Sequence, residues 1–147
     1  MSGAVRRQHG PLWNADETQA EGKRVVARNR QSAKQAGAAA ERAVADYFAA
    51  ALNDDRVDRR VKRGCDDRGD IGGVRVHGQR LVIEVKNHVR SDVPGWIAEA
   101  QIEGRNDDAL AGVVVAKRRG TTNVGRWYVH MTVEELVALI TGQKADQ

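Results

Sequence analysis

The chain has 147 residues, 41% hydrophobic and 30% charged, and 24 Lys+Arg against 20 Asp+Glu give a net charge of +4. That length fits one ordinary domain and argues against a two-domain enzyme with a separate cofactor-binding half, while the composition excludes a wholly disordered chain. No apolar run approaches the roughly 18 residues of a bilayer span, no signal-like apolar stretch opens the chain, and a single cysteine, Cys65, excludes an internal disulfide or a thiolate metal cluster. A cytoplasmic, intracellular protein with no membrane attachment is expected.

The charge is unevenly placed. Residues 1–35 hold Arg6, Arg7, Lys23, Arg24, Arg28, Arg30 and Lys34 against Asp16, Glu17 and Glu21, so the whole +4 lies there and the remainder balances 17 against 17. Without hydrophobic periodicity, this stretch is expected to be a flexible basic arm with at most fragmentary helix. Such an arm suits a polyanionic partner such as nucleic acid, or serves as a solubilising tail.

The domain is expected over residues 36–147. Ala36 to Leu52 is Ala-rich, lacks proline and ends at Asn53-Asp54-Asp55, which predicts a first helix. Arg56 to Arg63 reads as a short strand at the sheet margin, and Gly64 to Gly69 as a turn. Residues 70–76 and 80–87 read as strands around a three-residue loop, His77-Gly78-Gln79. Ser91-Asp92 before Pro94 predicts a second helix from about Val93 to Glu103 or a little beyond. Leu110 to Ala116 is an apolar run of strand length covered on both faces, and Arg126 to Met131 is a further strand. Thr132-Val133-Glu134-Glu135 opens a last amphipathic helix with Leu136, Val137, Leu139 and Ile140, closed by Gly142. The order α, β, β, β, α, β, β, α is that of an α/β domain with a mixed sheet flanked by helices.

The chemistry centres on Arg80-Leu-Val-Ile-Glu-Val-Lys-Asn87. Glu84 and Lys86 interrupt an apolar strand, and alternation puts both on one face. A salt-bridged exposed face and a functional site both fit, because buried charges persist only when paired or bound to metal. With a three-residue loop Asp70 lies opposite Lys86 and diagonal to Glu84 on that same face; a two-residue turn would place Asp70 on the other. Asp66 and Asp67 fall in the loop. Two converging carboxylates make a hard oxygen site suited to Mg²⁺, and Lys86 could position a water or stabilise charge on a phosphate. On the first helix, at about 100° per residue, Val44, Ala45, Phe48 and Leu52 lie within about 60° of Glu41. Glu41 is thus placed in the apolar stripe, either facing the site or reaching water or an arginine at the domain edge.

Gly37-Ala-Ala-Ala-Glu41-Arg42 in a first helix, then Asp70, then Glu84-Val85-Lys86, resembles the PD-(D/E)xK nuclease superfamily, and within it archaeal-type Holliday junction resolvases and resolvase-like phage endonucleases. The resemblance covers about residues 36 to 131. It implies a restriction-endonuclease-like αβββαβ core and a metal site of Asp70 and Glu84 supported by Glu41, holding Mg²⁺ with Mn²⁺ able to substitute. It also implies a catalytic Lys86 and a DNA-phosphate contact at Arg42. The family's proline before the Asp is replaced by Gly69. Arg59, Arg60, Arg63 and Arg68 form a pool of phosphate contacts from which Arg63 is chosen, and Lys117-Arg118-Arg119 after the buried strand could meet a phosphate backbone or be a solvated loop. Trp96 reads as core or interface, and His77, His88 and His130 have no ligand spacing.

The resulting expectation is a Mg²⁺-dependent endonuclease on branched DNA, a Holliday junction resolvase working as a homodimer because a two-fold junction needs paired cuts, with Leu136 and Ile140 as one candidate contact surface. A phage-encoded enzyme acting inside a bacterial host would fit. The alternatives are a restriction-type or repair nuclease and, from another class, an inactive DNA-binding module.

Overall fold

The computed structural model describes residues 15–145, with side chains described from residue 29. The chain divides into two units, Met1–Ala33 and Lys34–Gln147. Residues 1–14 of the arm lie outside the described residues. The first helix, α1, is Ala15–Leu52, so helix begins 21 residues before the Ala36 expected from sequence. Ala, Glu, Lys, Arg and Gln are good helix formers, and no proline lies between Pro11 and Pro94. Hydrophobic periodicity signals packing, and a helix can form without it.

In the second unit, β1 (Asp58–Arg59), β2 (Ile71–Gly72), β3 (Arg75–Val76) and β4 (Gln79–Lys86) follow α1. Then come α2 (Val93–Asn106), β5 (Ala111–Ala116), β6 (Tyr128–His130) and α3 (Val133–Thr141), with 3-10 turns at Gly64–Asp66 and Val124–Arg126. The sheet order is β1-β2-β4-β5-β6, with β3 also on β4. Only β4 and β5 run parallel, so the sheet is mixed and the domain α/β.

Local chemistry accounts for the boundaries. Pro94 lies in the first turn of α2, and the Asp92 side chain accepts from Gly95 N–H. Thr132 and Glu135 form a reciprocal capping box on α3, and Gly142 at φ 74° ends it. The expected strands 56–63 and 70–76 are shorter than the sequence suggested. The second breaks at Gly73, whose φ is 88° and where a Cβ would lie 2.3 Å from the Arg56 carbonyl oxygen.

That break sets the register of the site. The hairpin turn has two residues, His77 and Gly78, both at positive φ, and pairs Val76 with Gln79. The expected three-residue loop is therefore incorrect; His77 adopts the left-handed conformation, its Nε2 3.0 Å from the Leu139 carbonyl oxygen. Alone, the shorter turn would send Asp70 to the wrong face. Beyond Gly73 the pairing slips by one more residue, to Ile71 opposite Ile83, as at a β-bulge. Continued by one residue, that register sets Asp70 across from Glu84.

The core has two layers. Leu81, Ile83, Val85, Ala111, Val113 and Val115 form one cluster with Ala40, Val44 and Ala45 of α1 and with Trp127, and Leu139 of α3 packs against it. By alternation the even-numbered residues face α2. There Val82 and Val114 are fully buried, and Gly112 sits so close to α2 that a Cβ would lie 2.0 Å from the Ala100 carbonyl oxygen. This approach brings Glu99 and Glu103 over Glu84 and Lys86. No described helix is long and apolar enough to cross a membrane.

Candidate active site

The carboxylates gather where β2 ends against β4. Asp70 N–H donates to the Ile83 carbonyl at 3.0 Å, and its side-chain Oδ2 accepts from Val85 N–H at 2.8 Å. The carboxylate thus satisfies a β4 donor left free by the end of β2. Asp70 is 3% exposed and Glu84 6%. Lys86 Nζ donates to Glu84 Oε1 at 2.8 Å and to Glu99 Oε2 at 2.5 Å.

Burial, and next the charge of Asp70, push the Glu84 carboxyl up to about 9. The shift is upward although the hydrogen bond and charge of Lys86 oppose it, and Glu103 adds to it. Burial pulls Lys86 down, but its bonds to Glu84 and Glu99 outweigh this and raise it. Glu103, from α2, is also raised, first by burial, and its Oε2 is buried with no hydrogen-bond partner.

Glu41 is buried in the apolar stripe of α1 as the helical spacing requires, at 8% exposure. Its carboxylate is engaged: Arg59 Nη2 lies 2.5 Å from Oε2 and Lys62 Nζ 3.8 Å from Oε1. Lys62 also reaches Asp70 Oδ1 at 3.2 Å, so it stands between the two acids. Burial lowers the Lys62 ammonium less than Asp70 and Glu41 raise it. Asp70, Glu84 and Lys86 are therefore brought together, whereas Glu41 joins them only through Lys62. Lys62, Glu99 and Glu103 were not named as site residues by sequence, and Arg59 only within a pool of phosphate contacts, not as a partner of Glu41: Arg59 and Lys62 lie in an irregular basic segment and the others on a helix whose facing only the packing defines.

The expected phosphate contacts are dispersed. Arg42 is exposed and pairs with Asp58 at 2.8 Å and Asp46 at 3.3 Å. Lys117 N–H donates to the Lys86 carbonyl at 2.9 Å, which puts Lys117 and Arg118 beyond the same strand end as the carboxylates. Their cations lie 5.8 Å from the Trp127 ring and 5.7 Å from the Tyr128 ring. Arg63 lies among other arginines on the loop before Asp70.

The donor set suits a hard divalent cation in kind: oxygen ligands only, an orphaned carboxylate oxygen on Glu103 and a Glu84 that burial keeps from ionising. Among the described residues, no three His, Cys, Asp or Glu side chains are already placed around one point to hold a metal; Lys62 and Lys86 are the cations paired with Asp70 and Glu84, and Arg59 is paired with Glu41. No family model, curated protein or solved structure matches the chain.

Proposed function

We propose that this protein is a metal-dependent endonuclease that hydrolyses DNA phosphodiester bonds, a Holliday junction resolvase of the PD-(D/E)xK type with a restriction-endonuclease-like core. One observation carries this reading: two buried carboxylates, Asp70 and Glu84, lie beside Lys86 at the end of a central strand, in a cluster with more carboxyl groups than cations. Asp70 and Glu84 would hold Mg²⁺ or Mn²⁺, with Glu41 in support. When bound, the cation polarises a phosphoryl oxygen and acidifies a water.

The chain's own residues supply the rest. Lys86, kept protonated by Glu84 and Glu99, offers a fixed positive charge to the phosphate as negative charge grows on it. Lys117 and Arg118, next to the end of β4, hold the backbone by charge, as do Arg63 and, once released from Asp58 and Asp46, Arg42. Paired cuts call for two copies, and Leu136 and Ile140, 46% and 69% exposed on α3, offer an apolar surface for a second chain.

The test incubates the purified chain and Mg²⁺ with a four-way junction, a fork and a linear duplex of matched sequence. Symmetric nicking of the junction is expected. Preferential duplex cutting would move the protein to a restriction or repair class, and tight binding without cutting would make it a binding module.

A further inference from the structure

A second charged cluster lies at the C-terminus of α2, beside the start of β4 and away from Glu84 at its other end. Arg60, Arg63, Arg68 and Arg80, with Val61 and Asp107, line a cavity of about 350 Å³. Asp107 caps the C-terminus of α2 and is 3% exposed. Its carboxylate meets Arg60 at 2.9 Å, Arg68 at 3.7 Å and Arg80 at 3.8 Å. One buried negative charge thus faces three arginines, and Arg63 adds a fourth guanidinium to the cavity wall.

Most of the donors here have no hydrogen-bond partner among the described residues. Four guanidiniums carry roughly twenty N–H groups, and the hydrogen bonds they make within the described residues are Arg60 to the Arg68 carbonyl and Arg80 to the Asp107 carbonyl, at 2.9 and 3.0 Å. None is aligned on Asp107 Oδ2. Yet the wall is fixed: Asn106 Nδ2 donates to the carbonyls of Cys65 and Asp67, tying the arginine-bearing loop to α2. Arginine is also the side chain whose planar fork matches a phosphate.

We propose that this arginine cavity is a binding site for a phosphate group, distinct from the carboxylate cluster. Arg80 and Glu84 are four residues apart on one face of β4, about 13 Å at strand rise, a span of a few nucleotides of one strand at roughly 3.4 Å each. Its placement on DNA rests on the nuclease reading; its affinity for phosphate does not.

The test is Arg63→Gln/Arg68→Gln, two exposed side chains whose loss leaves Arg60 and Arg80 on Asp107. In EDTA, binding of a labelled four-way junction is titrated across salt concentrations. The log–log slope should become shallower by about 2, near 0.9 per phosphate contact, with affinity down roughly tenfold. In parallel, inorganic phosphate should raise the melting temperature of the wild type and not of the variant. A changed DNA slope assigns the cavity to backbone phosphate. A lost phosphate response with unchanged DNA binding assigns it to a free or terminal phosphate. If the wild type binds no DNA but shows the phosphate response, the nuclease reading falls and the cavity stands. If wild type and variant bind DNA with one slope and neither responds to phosphate, the cavity is overturned while the nuclease reading survives.

Discussion

Each end of β4 lies beside a buried acid, and the two are compensated in opposite ways. Asp107, by Arg80 at the start of β4, faces Arg60, Arg68 and Arg80, so positive charge is in surplus. Glu84, under Glu103 and Glu99, has Lys86 as its bonded cation and Asp70 as a neighbouring charge, so carboxyl groups are in surplus. The arginine-rich end has donors to spare and the carboxylate end a carboxyl that resists ionisation, while each holds one buried carboxylate oxygen without a hydrogen-bond partner. Imbalance of this kind costs stability unless a ligand of the missing sign is bound. The short basic segment before Asp70 serves both ends: Arg59 and Lys62 turn to Glu41 and Asp70, while Arg60 turns to Asp107.

The sharpest way to break the comparison is to neutralise the carboxylate end without changing its shape. Asp70→Asn and Glu84→Gln should each lower Mg²⁺-dependent cleavage at least a thousandfold, about 4 kcal/mol of barrier, with junction binding in EDTA retained. Cleavage within tenfold of wild type in either variant would remove that residue from the chemistry. At the other end, Asp107→Ala leaves Arg60 and its neighbours facing one another. Removing one partner of a buried charge pair costs about 3 kcal/mol, expected as a melting temperature lower by roughly 10 °C. An unchanged melting temperature would mean the arginines are solvated well enough not to need the acid.

How far these ends were legible in the sequence differs for physical reasons. Glu84 and Lys86 stood out because strand alternation is a two-residue rule that charges in an apolar run violate visibly. Glu41 stood out by the helical equivalent, and its 8% exposure agrees. The mixed α/β order was readable from apolar runs and caps. Asp70 was placed on the correct face from an incorrect turn: the two-residue turn and the slip at Gly73 each move the register by one, and the parity cancels. Glu103 and the Asp107 cavity were not readable, since they depend on how closely Gly112 lets α2 approach. The helix upstream of Ala36 was missed because a segment without an apolar stripe gives propensity no periodic companion.

A smaller effect tests the carboxylate surplus by pH. Glu84 has an ordinary value of 4.5 and is raised to about 9, so between those limits the folded chain holds a proton that the unfolded chain has released. Stability from this group is complete below about 4.5 and is lost as pH rises through 9; Glu103, raised in the same direction, adds to the slope. The melting temperature of the metal-free protein should therefore fall by several degrees from about pH 5 to pH 9. Glu84→Gln should flatten that fall by more than half. An equal slope in the variant would place the proton elsewhere.

The smallest expected effect concerns Lys62. Its ammonium stands between Glu41 and Asp70 in the region a divalent ion would enter, yet its side chain is 63% exposed. Both acids are buried, but the ammonium keeps most of its contact with water, and an ion pair screened in that way contributes about 1 kcal/mol, so Lys62 is a weak internal competitor that an ion can displace. Lys62→Met keeps an apolar stem of similar length and removes the charge. Calorimetric titration should show Mn²⁺ binding strengthened about threefold to tenfold, since 1.4 kcal/mol corresponds to tenfold, with a slightly lower melting temperature before metal is added. Arg59→Met should not reproduce the gain, because its nearest acid atom is Glu41 Oε2 and it makes no contact with Asp70. Weaker Mn²⁺ binding in Lys62→Met would show instead that the lysine holds Asp70 in a metal-ready position, and the carboxylate end would then depend on its cations as strictly as Asp107 depends on its arginines.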